Sequence, residues 1–203
     1  MNDVCPFGIR NTAMPRRLTP EQVRRYRHDG FVGGIPVLSP DEVHAFRTGL
    51  ETFERETGKP LDFPERSKSY LLFDWADAIV HHPNVLDAVE DVIGPDILVY
   101  HLTMHIKEPG SDAVVEWHQD DDYFHLTPAE QVTAWVALSD ATEESGCMRM
   151  IPQSYRDGHQ VHQERPSENH LIRAGKGIFG RFGDHDGTTV PVLAGEMSLH
   201  HTH

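Results

Sequence analysis

Apolar residues recur at helical spacing in the first half of this chain and at strand spacing in the second. Val43, Phe46, Leu50 and Phe53 fall on one face of a helix that opens at Ser39-Pro40-Asp41-Glu42 and runs to about Thr57. An earlier helix opens at Thr19-Pro20-Glu21-Gln22, with Thr as N-cap, Pro at the first helical position and Gln at N3. It runs to about His28, and Asp29-Gly30 stops it. Phe31-Val32 and Ile35-Pro36-Val37-Leu38 read as a short strand broken by Gly33-Gly34. Residues 74–93 read as further helix, interrupted at His82-Pro83-Asn84 and ended by Gly94-Pro95.

From Ile97 the period becomes two. His101, Thr103, His105 and Lys107 face one way, and Leu102, Met104 and Ile106 the other. Residues 131–139 alternate again, with Val132, Ala134, Val136 and Leu138 set against Thr133, Trp135 and Ala137. Residues 146–151 follow a turn as another strand, and 197–203 form a last one. Residues 157–188 are rich in Gly, His and Asp and are expected to form a long functional loop, a lid over a site. Helices followed by many short strands predict a mainly β fold with flanking helices. The specific form expected is a double-stranded β-helix, a jelly roll or cupin-like barrel buttressed by N-terminal helices. Residues 1–17 read as a flexible N-terminal arm and 18–203 as a single domain.

Charge narrows the function classes. A formal net charge of −14 opposes both nucleic acid and an anionic membrane surface as partners. Cys5 and Cys147 stand far apart with no CxxC spacing, which implies neither a disulfide framework nor a zinc knuckle, and Cys147 is expected to pack as a small apolar residue. No apolar run has signal-peptide or membrane-spanning character, so a cytoplasmic location is expected.

The candidate chemistry lies in Glu116-Trp117-His118-Gln119-Asp120-Asp121-Asp122-Tyr123-Phe124. Read as a strand, this segment projects His118 and Asp120 from one face toward one point. Two histidines and one carboxylate make the facial triad that holds non-haem Fe(II) with positions open for oxygen. The pair alone carries little weight, because 15 His and 17 Asp in 203 residues supply roughly one such pair by chance. Asp121 and Asp122 either are solvated or shape the mouth of a cavity.

Context supplies the weight. Leu18-Thr19-Pro20-Glu21-Gln22 with Asp29-Gly30-Phe31-Val32 and Leu38-Ser39-Pro40-Asp41-Glu42 forms a first block. Lys107-Glu108-Pro109-Gly110 followed by Trp117-His118-Gln119-Asp120 forms a second. The third runs from Ala134-Trp135-Val136-Ala137-Leu138-Ser139-Asp140-Ala141-Thr142 to Gly146-Cys147-Met148-Arg149-Met150-Ile151-Pro152. In this order the blocks resemble the phytanoyl-CoA dioxygenase family of Fe(II)- and 2-oxoglutarate-dependent oxygenases.

The resemblance implies that His118 and Asp120 are iron ligands and that Trp135 lines the 2-oxoglutarate pocket, a core aromatic being the bland alternative. It implies that His105 touches the cosubstrate, with Thr103 and His101 as weaker candidates on the same face. It implies small-molecule hydroxylation with molecular oxygen as co-reactant and succinate and CO2 as co-products. Halogenating relatives carry Ala or Gly where this chain has Asp120. The third iron ligand and the arginine that grips 2-oxoglutarate are expected beyond His203, with His203 or His201 as the substitute. A non-catalytic barrel that binds a metal or ligand is the alternative from another class.

Overall fold

A computed structural model of the chain describes residues 15–165, 171, 175–183 and 185–203. Two capping boxes build the first helices. In α1 (Pro20–Asp29) the Thr19 side chain accepts from Gln22 N while the Gln22 side chain accepts from Thr19 N, and Ser39 and Glu42 repeat the exchange in α2 (Pro40–Thr57). Each box satisfies N–H groups that the helix cannot, worth about 1 kcal/mol per cap. Gly30 ends α1 in the left-handed region, at φ 88°, and its N–H donates to Tyr26 O at 2.8 Å. A Cβ at this position would lie 2.6 Å from the Tyr155 ring, so space and backbone both require glycine. The interruption expected at residues 82–84 separates α3 (Asp74–Val80) from α4 (Pro83–Ile93).

The central sheet has the order β1 (Phe31–Pro36), β7 (Glu196–His201), β2 (Val132–Val136), all neighbours antiparallel. A register shift between Val32 and Ile35 accommodates Gly33-Gly34 as a bulge within β1. One face of the sheet takes the helices: Val32, Ile35, Met197 and Leu199 pack with Tyr26, Phe46, Val85 and Val89, and Val132, Ala134 and Val136 close the edge. The opposite face carries Phe31, Trp135 and Ala137 against Val190, Val192 and Met150. The alternation along residues 132–138 is therefore split between two apolar clusters.

Two small two-stranded sheets complete the β structure, β3 (Met148–Met150) with β6 (Thr188–Val190) and β4 (Gln163–Glu164) with β5 (Lys176–Gly177). No closed barrel connects the three sheets among the described residues, and the architecture there is mixed helix and strand. The strand expected over residues 97–107 is also absent. Its ladder reduces to one bridge, Thr103 with Ser67, flanked by Lys68 N to Leu102 O and Met104 N to Arg66 O. With no long partner on either side, alternation of side chains does not produce a ladder.

Of the expected N-terminal arm, residues 1–14 lie outside the described residues. From Arg16 the backbone is held, because the Arg16, Arg17 and Leu18 N–H groups all donate to the buried Asp91 carboxylate at 2.7, 2.9 and 2.8 Å. Removing a charged acceptor strands three donors, so Asp91→Ala should lower stability by about 3 kcal/mol or more. Urea unfolding checks this, and a loss below about 1 kcal/mol would show that the three donors find other partners.

Candidate metal centre

The segment carrying His118 and Asp120 is not a strand, contrary to the reading from its sequence. Residues 117–120 form an irregular turn, and Asp120, at φ −63° and ψ −31°, leads into the one-turn helix α5 (Asp121–Phe124). The turn itself brings the side chains together, His118 Nε2 lying 3.4 Å from Asp120 Oδ1. It is anchored from both sides. Ile178 N donates to Trp117 O at 2.6 Å, Trp117 Nε1 donates to Gly183 O at 3.2 Å, and Asp121 N donates to Thr202 O at 3.0 Å.

Asp120 Oδ2 points the other way, onto the sheet. It accepts from the Thr133 hydroxyl of β2 and pairs with His200 Nε2 of β7 at 3.2 Å. Thr133 and His200 are direct cross-strand partners, and Phe31 faces His200 on the other side. Cross-strand partners project from the same face. This row, with Trp135 two residues along from Thr133, therefore lies on the face away from the helices. Strand parity could have found Thr133 and His200, but in the sequence they carry no signal that distinguishes them from other face-mates.

Burial alone would raise the Asp120 pKa, but hydrogen bonds from His118 and His200 and the charges of both rings hold the carboxyl well below its usual range. Burial likewise depresses His118, and the hydrogen bond and charge of Asp120 overturn this, leaving its pKa raised. His118 Nδ1 lies 2.8 Å from Glu116 O, so a proton held there makes Nε2, now facing Asp120, the nitrogen available to a metal once its own proton is lost. An imidazole pinned through Nδ1 to a carbonyl is the arrangement of a metal-bound histidine. With a carboxylate oxygen beside it, the donor set fits a first-row divalent ion.

The remaining candidates lie around this pair. His105 senses the charges of Arg66, His118, Asp120 and His101, and its pKa is pushed down to about 4, first by the protein atoms crowded around it. The residue as a whole is exposed, which places it outside the core. His101 Nε2 is 2.8 Å from Thr103 Oγ1 and its ring sits 5.7 Å from that of Phe124. His203 Nε2 approaches Asp121 Oδ2 at 3.6 Å rather than Asp120, and His201 packs on Tyr155 with ring centroids 5.0 Å apart. A surface cleft of about 660 Å³, lined by residues that include Arg16, Leu86 and Leu98, contains none of these side chains.

One set of three among the described residues has ligand atoms within 4.8 Å of one another, and sequence reasoning did not single it out: Asp122, His159 and His162. Its chemistry argues for scaffolding instead of metal binding. Both ring nitrogens of His162 are engaged, Nε2 by Gln119 N at 2.9 Å and Nδ1 by Gln160 O at 2.9 Å. The Lys176 ammonium stands 3.0 Å from Asp122 Oδ2, where it would repel a cation.

The balance at His118 can be measured. Asp120→Asn removes the charge that raises its pKa and leaves the desolvation that lowers it. NMR titration of the metal-free protein should give a His118 pKa above the ordinary histidine value in the parent and a lower one in the variant. The linkage follows: the raised His118 value stabilises the fold below pH 6.5, and this contribution fades as pH rises through the folded value. A His118 pKa that does not fall in Asp120→Asn would show that Asp120 is not what holds its proton.

Comparisons with known proteins show what the chain resembles in sequence and fold. A solved structure of the non-heme monooxygenase ThoJ in its apo form superposes with a TM-score of 0.75 at 32% identity, covering 89% of this chain and 68% of that one. The non-heme alpha-ketoglutarate-dependent carbocyclase SnoK from nogalamycin biosynthesis gives 0.61 at 25% identity, covering 94% and 77%. The L-proline trans-4-hydroxylase of Streptomyces griseoviridis is 27% identical over 153 residues, 70% of this chain and 57% of the relative. The chain spans about half the length of the curated relatives it matches. Iron and 2-oxoglutarate are the metal and cosubstrate of such oxygenases. The model of the phytanoyl-CoA dioxygenase (PhyH) family matches residues 26–202, and the chain belongs to that family.

Proposed function

We propose that the protein is an Fe(II)- and 2-oxoglutarate-dependent dioxygenase that hydroxylates a small organic molecule, with succinate and CO2 as co-products. The observation that carries this reading is the His118–Asp120 pair, 3.4 Å apart, with His118 Nδ1 held by Glu116 O so that Nε2 presents to a metal. His118 and Asp120 would hold the iron. Bound there, iron supplies the activation of oxygen coupled to decarboxylation of 2-oxoglutarate.

The chain's own residues orient and exclude. Thr133 and His200 fix Asp120 through Oδ2, which leaves Oδ1 on the His118 side. Trp135, on the face of β2 that carries Thr133, would form an apolar wall for 2-oxoglutarate, and His105, Thr103 and His101 would line the side opposite. Burial, then Asp122 and Asp120, push the Tyr123 hydroxyl up to about 12, which keeps it protonated and donating to Lys176 O while the ring packs edge-on to His118. The retained carboxylate at Asp120 favours hydroxylation over halogenation. Resemblance to jelly-roll oxygenases supports reading the separate small sheets as portions of one barrel. No described helix is long and apolar enough to cross a membrane, and a cytoplasmic enzyme acting on a dissolved substrate is the reading we adopt.

Oxygen-dependent release of succinate from 2-oxoglutarate tests the activity against that of a non-catalytic binding barrel of the same fold. His118→Ala and Asp120→Ala should each abolish it, and wild-type succinate production by Asp120→Ala would overturn the iron assignment. Trp135→Ala should weaken 2-oxoglutarate binding roughly tenfold or more, about 1.4 kcal/mol, while Mn(II) binding is unchanged. Unaltered 2-oxoglutarate affinity in that variant would place Trp135 outside the pocket.

A further inference from the structure

We propose that His162 is a positioning residue for the metal centre: its Nε2 accepts the backbone N–H of Gln119, the residue between His118 and Asp120, and so fixes the spacing at which the two side chains present their ligand atoms. The contact is 2.9 Å long and joins residues 43 apart in sequence. The His162 side chain is 1% exposed, so water does not compete for that N–H. Its other nitrogen, 2.9 Å from Gln160 O, fixes the tautomer, since a proton on Nδ1 leaves Nε2 as an acceptor.

The Gln119 side chain reinforces the clamp from the same strip of backbone. Its Nε2 donates to Gly158 O at 3.0 Å and its Oε1 accepts from Gln160 N at 2.7 Å. Gln119 is itself buried, at 6% exposure. Residues 158–162 therefore hold the turn by three hydrogen bonds, all made to the residue that separates the candidate ligands. A turn left to itself samples many backbone geometries. Held at its middle residue, it keeps His118 Nε2 and Asp120 Oδ1 on one side. This role rests on the functional reading above, and it gives the set of Asp122, His159 and His162 an explanation that does not require a second metal.

The test uses the full chain and Mn(II), a probe that does not oxidise in air, with His162→Leu to remove the acceptor and His162→Gln to restore one at similar reach. Isothermal titration should show one equivalent bound by the parent, affinity about 10–100-fold weaker in His162→Leu, the range for loss of a group that orients a ligand, and most of it recovered in His162→Gln. Hydrogen exchange of the Gln119 amide in the metal-free protein should accelerate in the Leu variant and slow again in the Gln variant. Parent-like Mn(II) affinity in His162→Leu, unchanged Gln119 exchange, failure of the Gln variant to recover either readout, or loss of a second bound equivalent would each overturn the proposal. A parent chain that binds no Mn(II) would instead sink the functional reading, and with it the part given to His162.

Discussion

Burying a carboxylate costs several kcal/mol unless charge and hydrogen bonds replace the water it loses. Asp120 meets that requirement with donors from three elements: His118 on its own turn, Thr133 on β2 and His200 on β7. The consequence reaches the whole sheet. A one-residue slip of either strand would turn Thr133 or His200 toward the helices and bring Ala134 or Leu199 to the carboxylate. The apolar face of the same strands resists that slip, since Leu199 and Met197 are fully buried under the helices. Correct register is thus specified twice, by apolar burial on one face and by the Asp120 charge on the other.

The two faces have different tolerances. On the helix side, α1, α2 and α4 cover β1, β7 and β2 with buried residues, and changes of volume there are felt directly. On the other side Trp135, Thr133 and His200 remain only half-buried. A face proposed to admit cosubstrate and substrate would not be packed to interior density, and the helix-side core would then supply most of the stability on which the open side depends.

Local signals made the helical half legible in the sequence. Thr19 with Gln22, Ser39 with Glu42, and Gly30 as a stop act within four residues, and the elements begin and end close to where those residues place them. The alternation of 132–138 gave the correct division between the helix-facing cluster and the site face because both faces are packed. It misled at 97–107, where alternation exists without neighbours to form a ladder. It misled again at 117–120, where a motif read as a strand is a turn and the convergence of His118 and Asp120 has another cause. His200, Thr133 and His162 were not legible as parts of the centre. Each contributes through a contact spanning 13 to 80 residues, and such distances are set by topology, not by any pattern in a window of sequence.

The same long contacts bear on the segment expected to act as a lid. In its described parts, residues 157–188 are tied to the site at several points: Gly158, Gln160 and His162 to Gln119, Ile178 to Trp117, and Lys176 to Asp122 and, through its carbonyl, to Tyr123. Arg181 adds an ion pair with Asp157, joining two parts of the segment at 2.7 Å. A hinged flap needs few buried contacts so that it can open at small cost. These residues have the reverse character, with a nearly inaccessible His162 side chain and a buried Ile178. They are better understood as a wall that sets the geometry of the turn at His118 and Asp120, so that substitutions in it would first change how the two proposed ligands are held.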